Sequence, residues 1–239
     1  KQKLGTVRYC FSAAASMAAE IVRQWKERSG LTIYEGYGLT ESASAVTYNH
    51  YYRHVIGSVG TVVPGVEVQI RDKNGNKVEQ GQEGEICIRG HNIMKAYLNN
   101  PKDTQAAFWG DGWFRSEDVG HLDGDGYLYI VDRIKDMIIT GGENVYPREV
   151  EEVLYTRQEI EGCAVVGLPD REWGERVTAF IMLRPGQKIV PEELKAFLKS
   201  RLSSFKVPKE YIVVNDLPKS AAGKVLKREL KKQYLEHSK

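Results

Sequence analysis

Asp132-Arg133-Ile134-Lys135-Asp136-Met137-Ile138 marks the point where the residue pattern changes, and the fold reads outward from it. Upstream, from Gly57 to Val131, the pattern is β-rich. Val66, Val68 and Ile70 alternate before the turn Asp72-Lys73-Asn74-Gly75, and Glu85 to Arg89 alternates after it, which predicts a hairpin-like return. Asp123-Gly124-Asp125-Gly126 predicts another turn leading into a strand from Tyr127 to Val131. Downstream the pattern is compact α+β. Pro147 opens a helix carrying Val150, Val153 and Leu154, and Pro191 opens another carrying Leu194, Phe197 and Leu198. Strands are expected at Cys163 to Val166, Val177 to Leu183 and Tyr211 to Val214. The change of pattern predicts two domains, 1–132 and 133–239.

Further upstream, Val7 to Phe11 reads as a strand. A helix from Ala13 to Arg28 follows, with Met17, Ile21, Val22 and Trp25 on one face and Gly30 as its stop. Leu31 to Tyr34 is strand-like again. A chain that opens on Lys1 and enters a strand pattern at Thr6 reads as the continuation of something longer.

The bulk numbers exclude several classes. At 239 residues, 41% hydrophobic, 28% charged and a net charge of +2, the composition is that of a soluble globular protein and not of a nucleic-acid binder. Cys10, Cys87 and Cys163 form no C-x-x-C pair, which fits reduced thiols in a cytoplasmic protein. No apolar run reaches membrane-spanning length. The basic residues Lys219, Lys224, Lys227, Arg228, Lys231 and Lys232 crowd the C-terminal end, as a solvated helix face or around an anionic ligand. Ala222-Gly223-Lys224-Val225 lacks the following Ser/Thr and the earlier glycine of a phosphate loop, because Pro218 stands there. Asp123 and Asp125 lack the rest of a calcium loop, and the five histidines have no ligand spacing.

Four segments carry chemistry. In Tyr34-Glu35-Gly36-Tyr37-Gly38-Leu39-Thr40-Glu41, two glycines admit close backbone approach to a flat ligand and Tyr37 offers a stacking face. Thr40 can donate to a phosphate oxygen, and Glu41 is a hard oxygen ligand suited to Mg²⁺. A strand-end turn beside a helix cap is the competing reading. In Gly112-Trp113-Phe114-Arg115-Ser116-Glu117-Asp118-Val119-Gly120, Asp118 could accept both hydroxyls of a ribose. The third is the boundary stretch followed by Gly141-Gly142-Glu143-Asn144, whose glycines admit a narrow ligand arm. Taken alone, the second and third segments read as surface loops. The fourth, Leu217 to Leu230, places Lys224 after a glycine in a mobile-looking loop, as a point charge that reaches a developing anion.

Taken in order, Gly36-Tyr37-Gly38-Leu39-Thr40-Glu41, Trp113 to Asp118, Asp132-Arg133-x-Lys135-Asp136 with Gly141 to Asn144, and Pro218-Lys219-Ser220-x-x-Gly223-Lys224 resemble the adenylate-forming superfamily. That superfamily holds acyl-CoA synthetases, aryl-CoA ligases, beetle luciferases and peptide-synthetase adenylation domains. The likeness runs over essentially the whole chain and is nearest to the acyl-CoA synthetases. It implies an α/β and α+β architecture: the β-rich C-terminal part of the large domain, then a small mobile α+β lid. It implies that Glu35, Gly36, Tyr37, Gly38, Leu39 and Thr40 line the adenine and α-phosphate of ATP, with Tyr37 on the base. Glu41 would hold Mg²⁺, and Asp118 and Arg133 would grip the ribose. Lys224 would stabilise charge during adenylation, with Thr40 and Glu41 as its partners in catalysis, and Lys135 would be the hinge. Gly141, Gly142 and Glu143 would border the pantetheine arm of coenzyme A, and Ser12 to Ala15 the acyl pocket.

The implied activity is ATP-dependent conversion of a carboxylic acid, with a fatty acid expected, to acyl-AMP and then acyl-CoA. The expected partners are that acid, ATP or AMP, coenzyme A and an N-terminal part holding the phosphate loop, without which the chain is expected to be inactive. No nucleic acid and no membrane span are expected. The alternatives are a ligase that loads a carrier-protein thiol and a non-catalytic nucleotide-binding module. Three positions depart from the family: Ala13 where Gly is frequent, Ser116-Glu117 where Thr-Gly is common, and Lys135 where many relatives have Asp.

Overall fold

A computed structural model describes residues 4–15, 17–221 and 223–237. Ser16 and Ala222, which fall inside the expected first helix and the Lys224 loop, lie outside the described residues. The chain divides into two compact units, one ending at Ile134 and the other beginning at Lys135. No helix among the described residues is long and apolar enough to cross a membrane.

The first unit runs β1 (Cys10–Ser12), α1 (Ala19–Ser29), β2 (Ile33–Tyr37), β3 (Thr47–Tyr48), β4 (Thr61–Val62), β5 (Val66–Arg71), β6 (Gly84–Gly90), α2 (Pro101–Ala106), β7 (Phe114–Leu122) and β8 (Leu128–Arg133). Strands β1 to β4 form one sheet in sequence order, with β1 and β2 parallel across α1, while β5 to β8 form an antiparallel meander. Val66, Ile70, Ile86, Ile88, Phe114 and Leu128 pack with Tyr37 and Val46 into one core that joins the two sheets. Gly60 is indispensable to that junction, because a Cβ there would lie 2.0 Å from the carbonyl carbon of Tyr48.

The expected elements of this unit are present with shifted ends. The first strand lies later than Val7 to Phe11, and the second extends past Tyr34 to Tyr37. The helix starts at Ala19 instead of Ala13, because Ala14 takes a left-handed backbone (φ +71°) that no α-helix contains. Its stop is as read: Gly30 caps it at φ +76° and donates to the Lys26 carbonyl. The expected apolar face is only partly used. Val22 is buried, whereas Ile21 and Trp25 are 39% and 36% exposed.

The second unit runs β9 (Ile138–Thr140), β10 (Glu143–Val145), α3 (Pro147–Tyr155), β11 (Ile160–Asp170), β12 (Gly174–Leu183), α4 (Pro191–Lys199), β13 (Glu210–Val214) and α5 (Lys227–His237). Its sheet orders β10-β9-β12-β11, with β13 parallel on β12. The strand period of two sends successive side chains to opposite faces. Cys163 and Val165 meet Val150, Leu154, Leu194 and Leu198 from α3 and α4 on one face. Ala164, Val166 and Leu168 meet Leu217 and Leu230 on the other, where α5 packs. Both faces being covered explains why β11 reads as a nearly continuous apolar run.

Candidate active site

In the first unit the site is built around a bulge in β7. Cys87 of β6 faces Arg115 and Glu85 faces Val119, so Ser116, Glu117 and Asp118 on β7 stand against the single Ile86 on β6, a surplus of two residues. A bulge re-aims side chains, and here it does so through Glu117, which holds a left-handed φ of +59°. The buried Glu85 carboxylate stabilises the distortion: Oε1 accepts the Glu117 N–H at 3.3 Å and Oε2 accepts Arg115 Nε at 3.1 Å. The segment expected to read as a surface loop is therefore strand, with Asp118 5% exposed inside it.

Asp118 collects donors from two directions. Tyr37 Oη donates to Oδ2 at 2.7 Å, and Arg133 Nε donates to Oδ1 at 2.9 Å from the facing position on β8. Bonds to an ionised carboxylate are roughly twice as strong as neutral ones, and donors on two other strands orient this one. Burial, and then the Asp118 charge, push the Tyr37 hydroxyl well above its ordinary range, which keeps it a donor. The Tyr37 ring belongs to the core of the unit and is 8% exposed. The sequence motif offered that ring as a stacking face; holding Asp118 is a second task that the motif did not announce.

The two motif glycines are approached by the protein itself. A Cβ on Gly38 would stand 2.3 Å from the Ser44 carbonyl carbon, and one on Gly36 would stand 2.7 Å from the Phe11 ring. The sharp return of the chain after Thr40 thus requires Gly38, and the packing of β2 against Phe11 of β1 requires Gly36. Leu39 anchors that return by donating its N–H to Ser42 Oγ at 2.9 Å. Thr40 is exposed at the start of the turn, and Glu35 is buried in β2 opposite Ser12 of β1.

Glu41 is half-buried, and Tyr97 Oη donates to its Oε1 at 2.8 Å. Burial and the bond to Glu41 push the Tyr97 hydroxyl up to about 12. Met94 N–H binds the Glu41 carbonyl at 2.7 Å, and Asn92 Nδ2 donates to the carbonyls of Ser42 and Ala45 at 2.8 and 2.6 Å. Asn92, Met94 and Tyr97 escaped sequence reasoning because they lie some fifty residues from the motif they clasp. No group of three or more His, Cys, Asp or Glu side chains among the described residues could hold a metal by itself. A single oriented carboxylate fits Mg²⁺ delivered with phosphates, since that ion takes one or two carboxylates and keeps its remaining ligands from water and substrate.

In the second unit, Thr140 faces Glu143 across a two-residue hairpin whose Gly141 and Gly142 have φ +59° and +86°. Two positive φ values make the primed turn that matches strand twist. This is hairpin, not free surface loop. A Cβ on Gly141 would strike the Trp173 ring at 2.7 Å, while Gly142 faces open space and Glu143 is exposed. Lys135 is exposed at the first position of the unit.

Lys224 sits in a turn closed by backbone pairing. Lys219 and Val225 form an antiparallel bridge, Ser220 N–H binds the Lys224 carbonyl at 2.8 Å, and Leu226 N–H binds the Pro218 carbonyl at 2.8 Å. The basic run beyond it is α5, whose Leu230 is buried while Lys232 is exposed. The structure thus joins Tyr37, Asp118 and Arg133 in one hydrogen-bonded chain in the first unit. It places Gly141, Gly142, Glu143 and Lys224 on the second.

The model of the AMP-binding enzyme family matches residues 1–98, and that of the AMP-binding enzyme C-terminal domain matches residues 149–224. The chain is 41% identical over 237 residues to a long-chain-fatty-acid–CoA ligase of Bacillus subtilis (strain 168), covering 98% of this chain and 42% of that protein. It is 40% identical to a feruloyl-CoA synthase of Amycolatopsis sp, covering 97% of this chain and 47% of that protein. Its structure resembles that of ATP-bound MatB from Rhodopseudomonas palustris with a TM-score of 0.93 at 36% identity, over 98% of this chain and 47% of that one. The chain therefore spans less than half the length of the relatives it matches. Fold, ordered motifs and family models converge on one conclusion: the chain belongs to the adenylate-forming, AMP-binding enzyme family.

Proposed function

We propose that this chain is the C-terminal half of an AMP-forming acid–thiol ligase that turns a carboxylic acid into its acyl-CoA. The observation that carries the reading is Asp118, a buried carboxylate held by Tyr37 and Arg133 at a bulge. Such a carboxylate accepts the two neighbouring hydroxyls of a ribose. Glu35, Gly36, Tyr37, Gly38 and Leu39 line the base, and the exposed Thr40 hydroxyl donates to the α-phosphate. Glu41 would hold Mg²⁺, which neutralises phosphate charge when bound.

In the first half-reaction a substrate carboxylate oxygen bonds to the α-phosphorus, the bond from that phosphorus to the β-phosphate oxygen breaks, and pyrophosphate leaves. Lys224 offsets the negative charge that accumulates at the phosphorus, as a positioned point charge does. In the second, the coenzyme A sulfur bonds to the acyl carbon, AMP leaves and the thiol proton is released. Gly141, Gly142 and Glu143 border the thiol-bearing arm there, and a turn about Lys135 exchanges the two sets of residues.

The substrate class is a fatty acid, on the similarity to the Bacillus subtilis ligase. The exposed Val7, Tyr9, Phe11, Ile21 and Trp25 make the surface on which an N-terminal part packs, in keeping with relatives more than twice as long. The setting is cytoplasmic, in keeping with free Cys10, Cys87 and Cys163.

The test is pyrophosphate release by the full-length enzyme carrying this chain, measured with long-chain fatty, hydroxycinnamic and dicarboxylic acids, with coenzyme A added second. Acid-dependent pyrophosphate release followed by coenzyme A-dependent AMP release is expected, and neither from residues 1–239 alone. Release that ignores the acid would sink the reading.

A further inference from the structure

Helix α5 opens on Lys227-Arg228. A cation at a helix N-terminus is opposed by the positive end of the helix dipole, so local preference argues against Lys227 where it stands. Its partner comes from elsewhere in the fold. Lys227 Nζ lies 2.8 Å from Glu151 Oε1 on α3, with the two side chains only 19% and 15% exposed. The same oxygen accepts the Val165 N–H at 2.7 Å.

That third contact explains why Glu151 is there. Among the described strands β11 pairs only with β12, so it is an edge strand. Val165 is fully buried, and a buried edge N–H that points away from the ladder needs an acceptor. Helix α3 packs against the Val165 face of the sheet and α5 against the Ala164 face. The Glu151 carboxylate thus sits at the rim of the sheet between two layers, and Lys227 reaches it from the α5 layer, opposite that of α3.

Lys224 is three residues before Lys227. Lys224 lies within the turn closed by the Leu226–Pro218 and Ser220–Lys224 backbone bonds, so whatever holds the base of that turn bears on where Lys224 stands. One side of that base is the buried Leu217. The other is the Lys227–Glu151 pair.

We propose that Glu151 and Lys227 form a clasp across the β11 edge that sets the position of the Lys224 turn, making both positioning residues for acid activation. The proposal rests on the role given above to Lys224. A charge that must meet the reacting phosphorus is sensitive to placement, and a displacement of about 1 Å can cost about 100-fold in rate. The thioester step makes no use of Lys224 in that reading and is indifferent to the clasp.

Full-length enzyme carrying this chain is compared with Lys224→Ala, Glu151→Gln, Lys227→Met and Lys227→Arg. One readout is acid-dependent pyrophosphate exchange; the other is thioester formation from pre-formed acyl-adenylate and coenzyme A. Lys227→Met is expected to slow the first about 10- to 100-fold and change the second by less than about twofold, with Lys227→Arg recovering most of the loss. Glu151→Gln follows the same split, and should it fail to fold, Lys227→Met still leaves the Val165 bond in place. If Lys224→Ala abolishes exchange while Lys227→Met leaves both readouts untouched, or lowers both equally, the clasp is refuted and the role of Lys224 stands. Failure of Lys227→Arg to restore exchange also refutes the clasp. If Lys224→Ala exchanges like wild type, the role of Lys224 itself falls, and the clasp with it.

Discussion

Replacing Tyr37 with Phe tests whether the bulge site is held as described. The ring stays in the core cluster, so apolar burial is unchanged; the 2.7 Å bond to Asp118 Oδ2 is lost, with the contact of the hydroxyl to the Ser116 side chain. Asp118 is 5% exposed, so water has little access to replace the missing donor, while Arg133 still holds the other oxygen. A hydrogen bond to a charged group contributes about 1.5–3 kcal/mol net. We expect Tyr37→Phe to destabilise the first unit by about that amount. Whatever part of it persists in the nucleotide complex weakens ATP binding about tenfold per 1.4 kcal/mol. Urea denaturation followed by tryptophan fluorescence measures the first quantity, and the KM for ATP in the full-length enzyme reports the second. A midpoint shift equivalent to less than about 0.5 kcal/mol at unchanged slope, together with an unchanged KM, would show that Tyr37 does not hold the carboxylate.

Two further outcomes are expected. The Tyr97 hydroxyl titrates at about 12 in the folded chain, against about 10 unfolded. Above pH 10 the unfolded state therefore binds fewer protons than the folded one. The contribution of this group is complete below pH 10 and is lost as pH rises through 12; the urea midpoint of Tyr97→Phe should fall less steeply over that window than that of wild type, and parallel curves would refute the assignment. Glu117 holds φ +59° at the bulge, a conformation that costs a non-glycine residue about 1 kcal/mol. Glu117→Gly should raise the urea midpoint by the equivalent of about 0.5 kcal/mol at most, once the added freedom of the unfolded chain is deducted; a lowered midpoint would show that the Glu117 side chain stabilises the bulge.

Much of the fold was legible because it follows from local rules. Pro147 and Pro191 open helices where a missing N–H costs nothing, and Gly30 ends one at a positive φ. The hairpin of Val66–Arg71 with Gly84–Gly90 follows from alternation on either side of a polar turn. Element ends shifted where a tertiary demand overrode propensity, as at Ala14, whose left-handed backbone denies the helix its expected first turn.

The sequence by itself determined the family, the order of the motifs and the residue types able to carry charge and phosphate, because those reside in short contiguous strings. Only the tertiary structure decided which of them meet. Tyr37 and Asp118 are eighty-one residues apart, and Glu41 and Tyr97 fifty-six. A two-residue surplus on one strand, supported by Glu85, turns Asp118 inward. Register across a sheet is set by partners distant in the chain, so no local reading could foresee a bulge or the side chains it brings together.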